Sequence, residues 1–324
     1  MTLVKTLFII TVSTARFIFP GMPAIPGAPE IAKPPGVRSL SIELASDAAS
    51  ARGAKVTVAV PEGLKAGTTI DLLIDPRAGK PAAKPEPTKV KLFEYWGSGR
   101  EIGANQPKIT APGAVQTDAL ADQIPDKTYA YWPAVDAKPL EDDAATIGDY
   151  TLTTDFCGST SVTLANQQGF LDPVNITSAQ SEPDLDKPIV IRWKPVANAA
   201  GYLLNAYGGD AKQTITWTSS AKTELARGIE YMPVSKEDLE KFIKEGVLIP
   251  SYVVSCTIPA GVFKGSASVM LVVTAVGKDM VQTKDGIETW VIVRSTGSVV
   301  LHSTPYGSGS PSHPKNADRD NGSE

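Results

Sequence analysis

The stretch Asp186-Lys187-Pro188-Ile189-Val190-Ile191-Arg192-Trp193-Lys194-Pro195-Val196, followed by Asn198-Ala199-Ala200-Gly201-Tyr202-Leu203-Leu204-Asn205-Ala206, decides the fold class. Ile189–Trp193 and Gly201–Tyr207 are short runs rich in β-branched and aromatic residues. Proline, glycine and asparagine bound them, which is the pattern of strands joined by a turn. Working outward, the same style recurs. Ser39–Leu44, Lys55–Val60 and Thr69–Ile74 alternate polar and apolar residues, the second closed by Pro61 and Gly63 and the third by Asp75-Pro76. Lys89–Trp96, Tyr150–Thr154, Gln213–Thr218, Val253–Cys256, Ser268–Val276 and Ile287–Arg294 read likewise, and Asp285-Gly286 is a hairpin turn whose residues both tolerate positive φ. Many short strands at this spacing predict an all-β protein of two β-sandwich-like domains, 37–165 and 166–304, rather than an alternating α/β enzyme. One short helix is inserted in the second domain. Ser235 is its N-cap, Leu239, Phe242 and Ile243 share a face, Lys241 and Lys244 lie near its negative end, and Gly246 follows as the C′ residue.

The ends read differently. Residues 1–15 carry Lys5, an apolar run Leu7–Val12 and the small residues Ser13-Thr14-Ala15, the pattern of a signal peptide, with cleavage also expected as far along as Ala28. The run is far shorter than the ~20 residues that span a bilayer, so no transmembrane span is expected. Residues 16–36 form a spacer rich in proline and glycine, which lacks the N–H donors of a sheet strand. Residues 305–324 form a disordered tail without apolar periodicity. With 31 Lys+Arg against 35 Asp+Glu the net charge is −4. That balance argues against a nucleic-acid partner, since broad phosphate binding needs a surplus of cations. The expected address is secreted or periplasmic, in the cell envelope.

Two resemblances follow from these residues. The block running from Ile189 through Trp193, Pro195 and Val196 to Ala199 and Tyr202 resembles the B and C strands of fibronectin type III-like domains. That likeness implies Trp193 as the core residue and Tyr202 packed beside it, over roughly 170–302; the helix at 235–245 departs from a plain module. The second stretch, Tyr95-Trp96-Gly97-Ser98-Gly99 with Gly103-Ala104-Asn105-Gln106-Pro107, together with Ser255–Ala260, is similar to a group of uncharacterised exported bacterial proteins with a Y-W-G-x-G … G-x-x-Q-P motif. Ser98 stands where that group carries cysteine. The resemblance implies export and β architecture and no known activity.

Few groups here support chemistry. Gly97–Gly103 echoes a dinucleotide loop, but Pro107 follows where a phosphate-binding helix would begin, so no cofactor is expected. His302 and His313 are the only histidines, and no Gly-x-Ser-x-Gly elbow accompanies them, so no catalytic triad is expected. The acidic groups Glu141-Asp142-Asp143 with Asp149, and Glu182, Asp184 and Asp186, lack the spacing of a calcium loop, so no metal is expected. Tyr95, Trp96, Tyr131 and Trp132 are the candidate binding residues, since aromatic platforms on sandwiches stack on sugars or anchor proteins. Cys157 and Cys256, the only thiols, are a disulfide candidate in an oxidising compartment. The expected function is a non-enzymatic binding or structural role in the envelope or extracellular space, with a protein or glycan partner and self-association possible. The alternatives are a subunit of an extracellular filament or adhesin, and a secreted hydrolase with a carboxylate site.

Overall fold

The computed structural model describes residues 5–18, 36–75, 89–114, 124–134, 136–178 and 183–304. The first four residues, nearly all of the expected spacer, the Lys/Pro loop Gly79–Pro87, Glu182 and the tail with His313 lie outside the described residues.

The protein is all-β. Its largest sheet has 12 strands. From edge to edge it runs β5 (Leu73–Ile74), β8 (Thr128–Trp132), β2 (Val37–Ser46), β1 (Thr6–Ile18), β18 (Ile287–Ser303), β16 (Ser268–Val276), β12 (Gly201–Gly209), β13 (Gln213–Thr218), β6 (Lys91–Trp96) and β7 (Lys108–Thr110). Two short strands lie off this path: β14 (Ile249–Pro250) pairs with β12, and β17 (Met280–Lys284) pairs with β18. A four-stranded sheet has the order β10 (Ser159–Leu164), β9 (Gly148–Thr154), β3 (Val56–Ala59), β4 (Thr69–Asp71), and β11 (Ile189–Arg192) pairs with β15 (Ser255–Ile258) in a third. The apolar faces of all three sheets merge in one core, to which Leu40, Val58 and Leu152 contribute from the first half of the chain and Ile191, Leu204 and Val273 from the second.

The boundary expected near residue 165 is not a boundary in the large sheet. The first half supplies β2, β5 and β8 at one end and β6 and β7 at the other; the second half supplies the strands between. The splice is β1. It pairs antiparallel with β2 and parallel with β18, from Leu7 opposite Glu288 to Ile18 opposite Val299.

β1 contains the apolar run Leu7–Val12 of the expected leader and crosses the expected junction between leader and spacer. Phe8, Ile10 and Val12 face the main core, while Leu7 and Ile9 pack against Ala45, Trp290 and Ile292 on the opposite face. A strand covered on both sides loses its period-two signature and reads as a continuous apolar run. By hydropathy alone such a run cannot be told from the apolar part of a leader.

Trp193 and Tyr202, paired in the core by the resemblance of their block, are packed together there. Trp193 directly follows β11, bridged to Ile176, and Tyr202 lies at the start of β12 in the facing sheet; both are buried, with ring centroids 5.2 Å apart and edge-to-face. The Tyr202 hydroxyl accepts a hydrogen bond from the Val196 backbone at 2.9 Å, which satisfies the polar tip of a buried ring. The expected helix is α2 (Lys236–Lys244), capped by Ser235, whose Oγ accepts from the Asp238 N–H at 3.1 Å. A shorter helix, α1 (Thr223–Gly228), precedes it; six residues are too few to carry a legible 3.6-residue period. Both helices pack on the large sheet's other face, Ala226 of α1 and Leu239, Phe242 and Ile243 of α2 clustering with Leu203 and Val276 of the sheet. Asp285 and Gly286 join β17 to β18 with φ of 55° and 78°, as a primed hairpin turn requires.

Candidate binding site

The four candidate aromatics do not form one patch. Tyr95 and Trp96 are in β6 and Tyr131 and Trp132 in β8, with six strands of the large sheet between them. Seven strand spacings of ~4.8 Å put them roughly 34 Å apart along the sheet. Tyr95 and Trp132 pack against the main core. Tyr131 stacks on Tyr129, with centroids 6.0 Å apart.

The glycine- and glutamine-bearing motif around Trp96 is a backbone clasp. The Gln106 amide accepts from the Trp96 N–H at 2.9 Å and donates to the Trp96 carbonyl at 3.0 Å, standing in for a partner strand. Gly97, with φ of 82°, turns the chain so that its N–H reaches the Thr218 carbonyl and its carbonyl accepts from the Trp217 indole at 2.9 Å. The Ser98 hydroxyl accepts from the Thr257 N–H at 3.1 Å, and the Gly99 N–H donates to the Thr257 carbonyl. Each residue of Trp96-Gly97-Ser98-Gly99 is thus spent on tying β6 to β13 and β15.

A different feature forms a trough, on the face of the large sheet turned away from the main core. Where the helices leave that face uncovered, alternate positions of neighbouring strands carry hydroxyls: Ser41 on β2, Thr11 and Ser13 on β1, Thr296 on β18 and Thr274 on β16. Ser41 pairs with Thr11, and Thr296 with Thr274, so the hydroxyls stand side by side across the strands. They floor a cavity of about 770 Å³ walled by Trp290, Met232, Tyr207 and Tyr231. The Thr274 hydroxyl is buried and has no hydrogen-bond partner among the described residues. A second cavity of about 410 Å³ continues along the sheet over Asn205, Thr216 and Thr218, and Tyr207, Glu230 and Tyr231 border both. Tyr95 lies at its far end.

Two carboxylates face the first cavity, each held by neighbours. Glu43 accepts from the Tyr129 hydroxyl at 2.7 Å and from Ser41 at 3.1 Å, and Glu230 accepts from the Asn205 amide at 3.3 Å. Burial and the Glu43 carboxylate push the Tyr129 phenol well above its ordinary range, so it stays a donor. In the second cavity Glu94 is buried and paired with Arg227.

The wall that carries Tyr231 is pinned by a buried ion pair. Asp279 and Arg294 have side chains 0% and 5% exposed, and Arg294 Nη1 lies 2.8 Å from both Asp279 carboxylate oxygens. Arg294 also donates to the Ile229 and Met232 carbonyls, and Asp279 accepts from the Val234 and Val293 N–H groups. The pair thus holds 229–234 down on the sheet. Nothing in the sequence marks it, because Arg294 reads as the end of a strand and Asp279 as a turn residue.

Cys157 and Cys256 are both free thiols, Cys157 in the turn between β9 and β10 and Cys256 in β15. Cys157 follows β9 with its Sγ 3.2 Å from Thr154 Oγ1; Cys256 is buried in β15 beside the Ser98 hydroxyl. Ser98 therefore abuts Cys256 rather than Cys157. The expected acidic clusters are salt-bridged: Lys65 contacts Glu141 and Asp143, Lys187 contacts Asp184, and Lys264 contacts Asp186. Among the described residues no group of three His, Cys, Asp or Glu side chains could hold a metal, and no helix is long and apolar enough to cross a membrane. No protein-family model, curated protein or solved structure matches the chain.

Proposed function

We propose that this chain is an exported, non-enzymatic binding protein that takes an extended polyhydroxylated ligand, a glycan, along the trough. The observation that carries the reading is the hydroxyl-lined floor between aromatic walls. Sugar rings present apolar faces that stack on Tyr and Trp, and hydroxyls that exchange hydrogen bonds with Ser, Thr and carboxylate oxygens. A cleft with a few oriented polar groups between aromatic side chains is the usual form of a small-molecule site. Export rests on the resemblance of the clasp motif. The burial of β1 supports a secreted chain that keeps β1, because cleavage after Ala15 would remove most of a central strand. N-terminal sequencing of extracellular protein is then expected to begin upstream of Thr6. The split of β11 and β15 from β12, β13, β16 and β18 into facing sheets supports the fibronectin type III-like reading of the second half.

The test uses Trp290 and Trp217, which border the two cavities, as fluorescent reporters. Titration with a panel of soluble oligosaccharides is expected to shift their emission. Tyr207→Ala and Tyr231→Ala should weaken binding at least tenfold with an unchanged melting temperature. No shift with any glycan would overturn the ligand class. Glu43 and Glu230 in one cavity favour the hydrolase as second reading. Appearance of new reducing ends in the same titrations, lost in Glu230→Gln, would decide for it.

A further inference from the structure

We infer that β1 is an exchangeable strand, and that copies of this protein assemble by seating β1 of one chain between β2 and β18 of the next. Three observations carry this.

The first is the slot. β2 and β18 make no ladder with each other; β1 alone bridges them, from Thr6 opposite Ser46 to Ala15 opposite Val37 on one side and from Leu7 to Ile18 on the other. Without β1 both neighbours would expose open backbone ladders beside an apolar trench lined by Leu40, Ile42, Leu44, Val291 and Val293. Open edges next to apolar surface take up a strand.

The second is specificity. The trench accepts Phe8, Ile10 and Val12, and a slip of one residue would turn Thr11 and Ser13 into the core. Hydroxyl contacts fix both ends: Thr6 Oγ1 lies 2.8 Å from Ser46 Oγ, and Thr14 Oγ1 donates to the Leu171 carbonyl at 2.9 Å. The occupant that fits is therefore this sequence, in this register, from either chain.

The third is the connection. Ala15 and Val37 are direct partners, so β1 and β2 could be joined by a hairpin of ~2–5 residues. The chain instead places the 18 residues 19–36 between the two strands, six of them proline. Fully extended, such a length reaches roughly 60 Å, enough to carry β1 to a neighbouring molecule. A long connection also lowers the effective concentration of β1 at its own slot, which narrows the preference for closing on itself. The closed and exchanged forms contain the same contacts, so concentration decides between them.

The test is a covalent trap. Ser13 and Ser39 face each other across β1 and β2 with their hydroxyls 2.7 Å apart. In a background of Cys157→Ser and Cys256→Ala, one full-length chain carries Ser13→Cys and a second carries Ser39→Cys. The two are unfolded, mixed at high concentration, refolded and oxidised. Exchange predicts a disulfide-linked heterodimer on a non-reducing gel. A chain carrying both substitutions controls for geometry. If that chain closes its internal disulfide while the mixture yields no covalent heterodimer, the inference is overturned. Replacing 19–36 by six Gly/Ser residues, which still close β1 onto β2 but cut its reach to about 20 Å, should lower the yield of heterodimer and leave the melting temperature unchanged. A heterodimer of undiminished yield with the short connection would also overturn it.

Discussion

At Cys256, burial pushes the thiol up to about 11 from an ordinary value of 9.0, against the lowering effect of the Ser98 hydroxyl and the Thr257 N–H. The folded state therefore disfavours the thiolate. A group whose folded value is raised contributes stability that is complete below the unfolded value and is lost as pH climbs through the folded one. The window here is about pH 9 to 11. Two pKa units correspond to at most ~2–3 kcal/mol. The buried phenols of Tyr129 and Tyr150, also raised, act with the same sign from their ordinary 10.0 upward. The urea midpoint is expected to fall between pH 8 and pH 10.5, and the gap between wild type and Cys256→Ala to narrow over the same range. A gap that stays constant would mean the thiol is not buried as described. Of single residues, Trp193 and Tyr202 were expected in the core from the resemblance of the 189–202 block to fibronectin type III-like strands, and both are buried. Polar contacts were not, because Gln106 reaching back to Trp96, or Ser98 lying against Cys256, depends on loops folding over one another.

Among elements, legibility followed local chemistry. The helix α2 could be read from its cap and apolar face, and the β17–β18 turn from two residues that tolerate positive φ. The path of 229–234 could not be read, because the buried pair Asp279–Arg294 fixes it from strands far along the chain. Removing one partner of such a pair strands the other in a low-dielectric site and costs ~3–5 kcal/mol. Arg294→Met should therefore destabilise the fold by that order. It should also release the carbonyls of Ile229 and Met232, so the segment bearing Tyr231 loses hydrogen-exchange protection before the β16–β12 ladder does. Uniform loss of protection across the whole protein would show that the pair supports the sheet in general and not this wall of the trough.

For the whole molecule, the alternation of residues made the all-β class and the sandwich-like packing legible. The joining of the two halves was not, because β1 opens with Leu7–Ile10, apolar on both faces and without a strand period, and because parallel pairing of residues 7–18 with 288–299 spans nearly the full chain. The trough was hidden for the same reason. Its hydroxyls on β1, β2, β16 and β18 become one surface only once those strands are neighbours; alternate Ser and Thr in apolar strands was the only trace. The joining has a thermodynamic consequence. Two sandwiches linked by a spacer would unfold independently, each with its own midpoint. Here strands from both halves share one sheet, and Leu40, Val58 and Leu152 lie in the same core as Ile191, Leu204 and Val273. Opening either half would expose apolar surface of the other, so partly unfolded states are penalised. Calorimetry is then expected to show a single transition with calorimetric and van't Hoff enthalpies in agreement, the mark of one cooperative unit, although chains of this length commonly show more than one. Deleting residues 1–18 removes the splice. That variant should split the transition in two, with the end formed by β8, β2 and the four-stranded sheet melting first, because it loses a central strand while the second half keeps β16 and β12 beside β18. Two resolved transitions in the intact chain would show that β1 joins the sheets without coupling them.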